Sequence, residues 1–152
     1  MTLEALCYTC EIDWTTIRNP VDTEIERGLA RARRLNRLNG VTGAILLYPD
    51  RLVQWLEGTA SGLADSLDCA SRDARLRGPI ETLCKGEIET RLFGQCWLYF
   101  ADYRQDADRP DGLLGDLGHK ASTVSCQELR RELRSVAAHL EPARYTHAAM
   151  LV

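Results

Sequence analysis

The sequence lacks several features that would place it in a special class of protein. No window approaches about 18 uninterrupted apolar residues, so no membrane-spanning helix is predicted. The formal net charge of -3 provides no basic surface for nucleic acid or for an anionic membrane. The first residues show no basic region followed by an apolar run, so we expect no export signal and a cytoplasmic location.

Histidine is scarce, and this argues against a metal centre. The three histidines are scattered through the C-terminal part of the chain, at His119, His139 and His147. Metal ligands in proteins normally recur at short, characteristic spacings, which these residues do not show. The sequence therefore predicts no metal site.

Cysteine, by contrast, is frequent, with six residues in a chain of 152. Because no export signal is expected, the cysteines are predicted to be reduced thiols rather than a disulfide framework. Cys7 and Cys10 have the CxxC spacing, but a separation of three along a strand places their side chains on opposite faces. They are therefore interpreted as small buried apolar residues.

The order of strand and helix patterns predicts the fold class. Strand patterns cover residues 3–10, 41–48, 52–57, 80–88 and 95–103, and helical patterns cover residues 22–38 and 60–74. Asp22 or Thr23 is expected to cap the first helix, and Asn39-Gly40 to end it. The resulting βαββαββ order predicts an α/β sandwich of the ferredoxin-like type: a five-stranded mixed sheet with two helices on one face.

The chain divides by composition near residue 104. Residues 1–104 form the predicted sandwich, and residues 105–152 form a C-terminal helical extension. In that extension Ser125 and Glu128 have the spacing of a helix-capping box, and an apolar stripe follows that includes Leu129 and Leu133. A helix this short needs a partner. We expect it to pack on the open face of the sheet or on another subunit.

Three polar residues are predicted to point into the same space between the first helix and the sheet. Gln54 interrupts an apolar strand and shares a face with Leu52 and Leu56. Tyr8 lies in the first strand, and Asn36 lies on the apolar stripe of the first helix. Taken singly, each has an ordinary structural explanation, but a buried amide requires polar partners. Their joint placement predicts a binding site for a polar group.

The residues around this site resemble those of a known family. Tyr8 is followed by the Asn-Gly-Val-Thr-Gly run of residues 39–43, by the Gln-Trp-Leu-Glu-Gly run of residues 54–58, and by Asp73-x-Arg75 and Arg91-x-Phe93. This pattern is similar to that of the BLUF domains, which are blue-light sensors that bind FAD. The resemblance covers roughly residues 3–103 and implies the same βαββαββ fold.

The resemblance assigns a role to each of these residues. FAD would lie with its ring between the two helices and against the sheet. Tyr8 would donate an electron and a proton, and Gln54 would bridge Tyr8 and the ring. Asn36 would hold the polar edge of the ring, while Asp73 and Arg75 would lie near the ribityl and pyrophosphate part. Either Arg33 or Arg34 could also reach the phosphates.

Several positions depart from the family pattern. Leu35, Gly28 and Leu76 replace residues that are usual beside the flavin, which puts the affinity for it in question. The family usually has Trp-x-Met in the fifth strand, to pass on the signal. Counting from Phe93 places Cys96 and Leu98 at those positions, whereas one extra turn residue would place Trp97 and Tyr99 there. Trp97 as a core aromatic on the far face is an equally open reading.

The resemblance implies a non-enzymatic blue-light photoreceptor that binds FAD. Its output would pass to a separate effector protein, whose identity the sequence does not give, or to a homo-oligomer, a dimer or larger. The alternative is a light-insensitive interaction module that keeps the fold and has lost productive flavin binding. A third reading, a small thiol enzyme, is opposed by the absence of an evident Cys-His pairing.

Overall fold

The chain folds around one mixed β-sheet. The computed structural model describes residues 2–16, 18–73, 76–117 and 124–142. Its elements, in chain order, are β1 (Leu3–Ile12), α1 (Val21–Asn39), β2 (Thr42–Leu47), β3 (Arg51–Gly58), α2 (Ala60–Ser71), β4 (Leu76–Ile88), β5 (Tyr99–Asp102), α3 (Leu113–Asp116), α4 (Cys126–Val136) and β6 (Glu141–Pro142). No helix among the described residues has the length and apolar character that a membrane span requires.

The strand order of the sheet is β4-β1-β3-β2-β5-β6. β1 runs antiparallel to both β3 and β4, and β2 runs antiparallel to β3 and parallel to β5. The ferredoxin-like fold with five main strands is therefore confirmed, and the two-residue β6 adds a sixth strand beside β5. β3 is the central one of the five main strands and lies between β1 and β2.

Each face of the sheet is covered by different helices. On one face Leu6 and Leu56 pack with Leu63 of α2, while Ile45 packs with Leu29 of α1. The opposite face, which includes Trp55, packs against the extension through buried leucines at positions 114, 117, 129, 133 and 140. Leu129 and Leu133 of α4 are fully buried in this way, so the apolar stripe of that helix is used within the chain.

The two ends of α1 are formed differently from each other. Gly40 ends the helix with a φ of 67°, a left-handed conformation that glycine adopts without strain, as the sequence predicts. The predicted start is wrong: Pro20 is the N-cap and makes no side-chain cap bond, so Asp22 and Thr23 lie inside the first turn. Proline suits this position because its φ is already fixed near the helical value.

Two strands differ from their predicted extents. β4 begins at Leu76 and passes through Gly78 and Pro79, which were expected to precede it; shifts in its register with β1 accommodate them. β5 is four residues long, although a strand over residues 95–103 was expected. Residues 95–98 lie in the preceding turn because the backbone there bonds to side chains instead of to a neighbouring strand. One such bond runs from Asn36 to the Trp97 carbonyl.

The cysteines are only partly reduced. Cys84 of β4 and Cys126 of α4 form a disulfide, with their Cα atoms 5.3 Å apart. The prediction of reduced thiols is wrong for this pair, because the packing of α4 on the sheet brings together two residues that are 42 positions apart in the chain. Cys7, Cys10, Cys69 and Cys96 remain free thiols.

Candidate functional site

The side chains of Tyr8 and Gln54 meet on the helix-covered face of the sheet. They lie directly opposite each other in the antiparallel register of β1 and β3. The Tyr8 hydroxyl donates a short hydrogen bond to Oε1 of Gln54, and both side chains are buried. Burial raises the pKa of the Tyr8 phenol, and the nearby Cys10 and Cys7 raise it further. The phenol therefore stays protonated at neutral pH and keeps its proton directed at the amide.

Gln54 has hydrogen-bonding capacity beyond this contact. A carboxamide offers two donor hydrogens in addition to its acceptor oxygen. Among the described residues, none accepts a hydrogen bond from the Gln54 amide nitrogen. The side chain is therefore suited to a ligand that accepts a hydrogen bond.

A narrow cleft lies in front of this pair, between α1, α2 and the sheet. Tyr8, Gln54, Asn36 and Asp73 all line it, with apolar side chains such as Leu52 between them. Its cavity volume is about 90 Å³. We call this cleft the slot, and an apolar pocket with a few convergent polar groups is typical of a site for a small organic molecule.

Asn36 connects the cleft to the turn before β5. Its side chain is buried and its Nδ2 donates a hydrogen bond of 2.8 Å to the carbonyl oxygen of Trp97. One amide hydrogen and the Oδ1 acceptor are not used in this bond. Asn36 can therefore hold the turn and a ligand at the same time.

An arginine that the sequence reading missed bridges the two helices at the cleft. Arg31 lines the cleft; its Nη1 lies 3.4 Å from Oδ2 of Asp73, and its Nη2 donates to the Cys69 carbonyl at 2.9 Å. Arg34, which was expected near the cofactor phosphates, is exposed and does not line the cleft. Arg31 precedes Leu35 by four residues and so shares its stripe, which was the signal for it. Arg75 lies outside the described residues.

Trp14 and Ser66 also line the cleft and were not expected there. Trp14 follows β1 and is fixed by a 3.0 Å hydrogen bond from its Nε1 to the Pro49 carbonyl. Ser66 is buried, and its hydroxyl accepts a 3.1 Å hydrogen bond from Nδ2 of Asn39. Neither residue has a local pattern that reveals its position, since both come to the cleft only through contacts between distant segments.

The three residues considered for signal relay have different environments. Leu98 is fully buried beside Leu29 and Ile45, on the cleft side of the sheet. Cys96 is half-buried, with its thiol 3.5 Å from the Leu98 carbonyl. Trp97 is half-buried and belongs to none of the three apolar clusters of the described residues, so it is not a core aromatic on the far face. This placement favours the alignment counted from Phe93.

The three residues that depart from the family pattern all line the cleft. These are Gly28, Leu35 and Leu76. A Cβ atom built on Gly28 would meet no other atom within 4 Å. The cleft therefore has open space at the middle of α1, where a side chain could be added without a clash. No group of three or more potential ligand residues for a metal ion occurs in the described ranges.

Comparison with known proteins agrees with this geometry. Residues 3–98 match the family model for BLUF, described as sensors of blue-light using FAD. The ground state of BlsA superposes with a TM-score of 0.73 at 17% identity, covering 98% of this chain and 97% of that one. The dark state of BlrB, described as a BLUF protein, gives 0.63 at 23% identity, covering 88% and 96%. None of the curated proteins matches the chain.

Larger structures match over part of their length. The BLUF portion of BlrP1 superposes with a TM-score of 0.63 at 25% identity, covering 91% of both chains. In Klebsiella pneumoniae BlrP1 with manganese and cyclic diGMP, and in a bacterial light-regulated adenylyl cyclase, this chain covers 33% and 34% of the whole. The sensor fold thus occurs both in short proteins and as one part of longer ones.

Proposed function

The chain belongs to the BLUF family of flavin-based blue-light sensors, and from this membership we propose that it is a photoreceptor that binds FAD and is not an enzyme. The observation that carries the proposal is the buried hydrogen bond from Tyr8 to Gln54 at the wall of a narrow apolar slot. Light would rearrange the hydrogen bonds of these two side chains and bias the conformation of a distant part of the chain.

The residues of the slot fit a flavin. Apolar side chains on α1 and on the sheet can enclose a flat ring, and the amide nitrogen of Gln54 can donate to its carbonyl edge. We assign Asn36 to the polar edge of the ring and Asp73 to the ribityl part. Arg31, which lies at the cleft beside Asp73, takes the place first considered for Arg34. Arg75 stays a prediction from the family pattern.

The photochemical step follows from the properties of the two side chains. When bound, an excited flavin supplies an acceptor for one electron. Oxidation makes the Tyr8 phenol strongly acidic, and its proton already points at Oε1 of Gln54. The Gln54 amide has one donor end and one acceptor end, so rotation or tautomerisation reverses which end faces the cleft. The electron and the proton would return to Tyr8, so nothing is consumed and the original hydrogen bonds can form again in the dark.

The wider proposal concerns organisation and partners. We propose that residues 1–104 are the flavin-binding domain and residues 105–152 the extension that carries the output. We propose that the signal passes to a separate cytoplasmic protein or to a dimer or larger homo-oligomer. Sedimentation of the protein in darkness and under blue light tests the oligomeric part of this proposal.

Absorption spectroscopy tests the proposed photochemistry. The purified protein is expected to be yellow and to show a small red shift under blue light that reverses in the dark. Gln54→Leu and Tyr8→Phe should keep the flavin and lose this shift, because each removes one partner of the hydrogen bond. Tyr48→Phe is the matched control, since Tyr48 is also buried but bonds to the Leu114 carbonyl on the other face of the sheet. A normal shift in Gln54→Leu would contradict the mechanism.

The same preparation distinguishes the alternatives. Chromatography of the released cofactor identifies it as FAD or as FMN. Protein that stays colourless after reconstitution with FAD would instead support the light-insensitive interaction module, which the replacements at Gly28, Leu35 and Leu76 favour.

A further inference from the structure

Glu57 is a fully buried acidic residue at the end of the strand that carries Gln54. The two residues are three positions apart on β3, so Glu57 points to the face opposite the cleft. Its Oε2 accepts a hydrogen bond of 2.6 Å from the Leu92 backbone N–H, and its Oε1 accepts one of 2.7 Å from that of Phe93. Burial raises the pKa of Glu57, and these two bonds lower it. Both carboxylate oxygens therefore hold one turn against β3.

The same turn is fixed to β2 by the neighbouring arginine. Nη1 of Arg91 donates to the Glu57 carbonyl and to the Thr42 hydroxyl, each at 2.9 Å. Its Nη2 donates to the Gly40 carbonyl at 3.0 Å. We name residues 90–93 the junction turn. Because of these bonds, a displacement at the end of β3 or at the start of β2 also displaces this turn.

The junction turn is also held from the other side, by the C-terminal extension. Nη2 of Arg130 on α4 donates to the Thr90 carbonyl at 3.1 Å and lies 3.4 Å from the Thr90 hydroxyl. The positive charge of Arg130 also lowers the pKa of Glu57. Strand β3 and helix α4 therefore form hydrogen bonds to nearby residues of the same turn. The junction turn is therefore in contact with both β3, through Glu57, and α4, through Arg130.

We propose that Glu57 is a positioning residue that couples the strand of Gln54 to helix α4 through the junction turn and Arg130. This inference rests on the proposed function, because the rearrangement of Gln54 is its input. When β3 is displaced, the Glu57 carboxylate displaces the Leu92 and Phe93 amides to which it is bonded. The junction turn moves with them, and its Thr90 displaces Arg130. Helix α4 then shifts against the sheet. Its outward side, which carries exposed residues such as Arg131 and Arg134, is the surface that changes.

Hydrogen–deuterium exchange of α4, in the FAD-loaded full chain, tests this coupling. Exchange over residues 126–136 is measured in darkness and under steady blue light, alongside the absorption shift, with the disulfide kept intact. Wild type should show both the shift and a change in α4 exchange. Glu57→Gln leaves one of the two amides without an acceptor, so it should keep the shift and lose the change in α4. Arg130→Gln should do the same.

The controls are neighbouring residues of the same charge that are exposed. Glu87→Gln on β4 and Arg131→Gln on α4 should behave as wild type does. If Glu57→Gln fails to fold, Arg130→Gln tests the coupling instead, since Arg130 is not fully buried. A normal light-induced change of α4 exchange in Arg130→Gln would overturn the coupling while leaving the photoreceptor intact. Absence of any absorption shift in wild type would instead contradict the proposed function and the coupling with it.

Discussion

Gln54 and Glu57 show how the position of a residue along a strand determines the face of the sheet on which its side chain lies. Their separation of three places one side chain in the cleft and the other on the opposite face. Each is a polar side chain in a mostly apolar strand, and each is stabilised by specific partners: the Tyr8 hydroxyl for Gln54 and two backbone amides for Glu57. One strand can therefore receive a change on one face and transmit it on the other.

The glycine in the middle of α1 gives a prediction at the same scale. Gly28→Ala should stabilise the flavin-free protein by about 1 kcal/mol, because alanine favours the helix and its methyl group meets no atom within 4 Å. The added methyl also extends the wall of the cleft, so flavin should be retained more strongly during gel filtration. Thermal unfolding measures the first effect and the absorbance ratio of flavin to protein the second.

Gly43→Ala is the control, because it is expected to have the opposite effect on stability. A Cβ atom there would lie 1.9 Å from the Trp55 carbonyl oxygen, so β2 and β3 could not keep their spacing. Gly43→Ala should therefore lower the unfolding temperature. If Gly28→Ala also lowers it, the space at the middle of α1 is not available to a side chain.

At the scale of elements, helix α4 is stabilised by three kinds of interaction. Its start is capped by Ser125, whose hydroxyl accepts the Glu128 amide at 3.3 Å. Leu129 and Leu133 are fully buried against the sheet. The third interaction is covalent, since the first residue of the helix, Cys126, is bonded to Cys84 of the edge strand β4. A helix of 11 residues would not be stable alone, so these attachments determine whether it forms.

The disulfide should contribute measurably to stability. A bridge between residues separated by 42 positions restricts the unfolded chain, and a loop of this length corresponds to about 4 kcal/mol. Cys126→Ser, or reduction of the wild type, is expected to lower the free energy of unfolding by up to this amount. Urea denaturation with and without reductant measures it.

Cys69→Ser is the matched control, because Cys69 is a half-exposed free thiol in α2. Its denaturation should keep the sensitivity to reductant that the wild type shows, and Cys126→Ser should lose it. Equal midpoints for oxidised and reduced wild type would show that the bridge does not hold α4 in place.

At the scale of the whole molecule, the sheet has a helical layer on both faces. The cleft lies on the face covered by α1 and α2, and the extension covers the other. The family match ends at residue 98, yet the buried leucines of the extension pack on Trp55 and Val53 in the middle of the sheet. The flavin-binding part and the extension therefore share one core, which allows a change in one to reach the other.

Removal of the extension should expose that core. A chain that ends at Arg104 would present a continuous apolar surface that includes Leu46, Val53 and Trp55, and monomeric proteins rarely expose large patches of this kind. We expect the truncated protein to bind an apolar dye such as ANS and to self-associate in sedimentation experiments. A monomeric fragment without dye binding would show that residues 1–104 fold independently.

Much of the fold could be predicted because it depends on local patterns. Alternation along β1 and β3 placed Tyr8 and Gln54 on one face, and the structure brings them into contact, while their photochemical roles stay a prediction. The Gly40 end of α1 and the Ser125 cap of α4 are likewise encoded by adjacent residues. The cap expected from Asp22 or Thr23 failed because the N-cap is Pro20, two or three residues before the position that the polar pattern indicated.

The sequence by itself determined the order of the elements, their faces and the family, since periodicity and motifs lie within short segments. Only the tertiary structure decided that Arg31 lies at the cleft, that Cys84 pairs with Cys126, and that β5 is short. It also decided that Glu57 meets a turn 36 positions further along the chain. Such contacts depend on how whole elements pack and on the register between strands. No local pattern specifies them, because the interacting groups are neighbours in space and not in sequence.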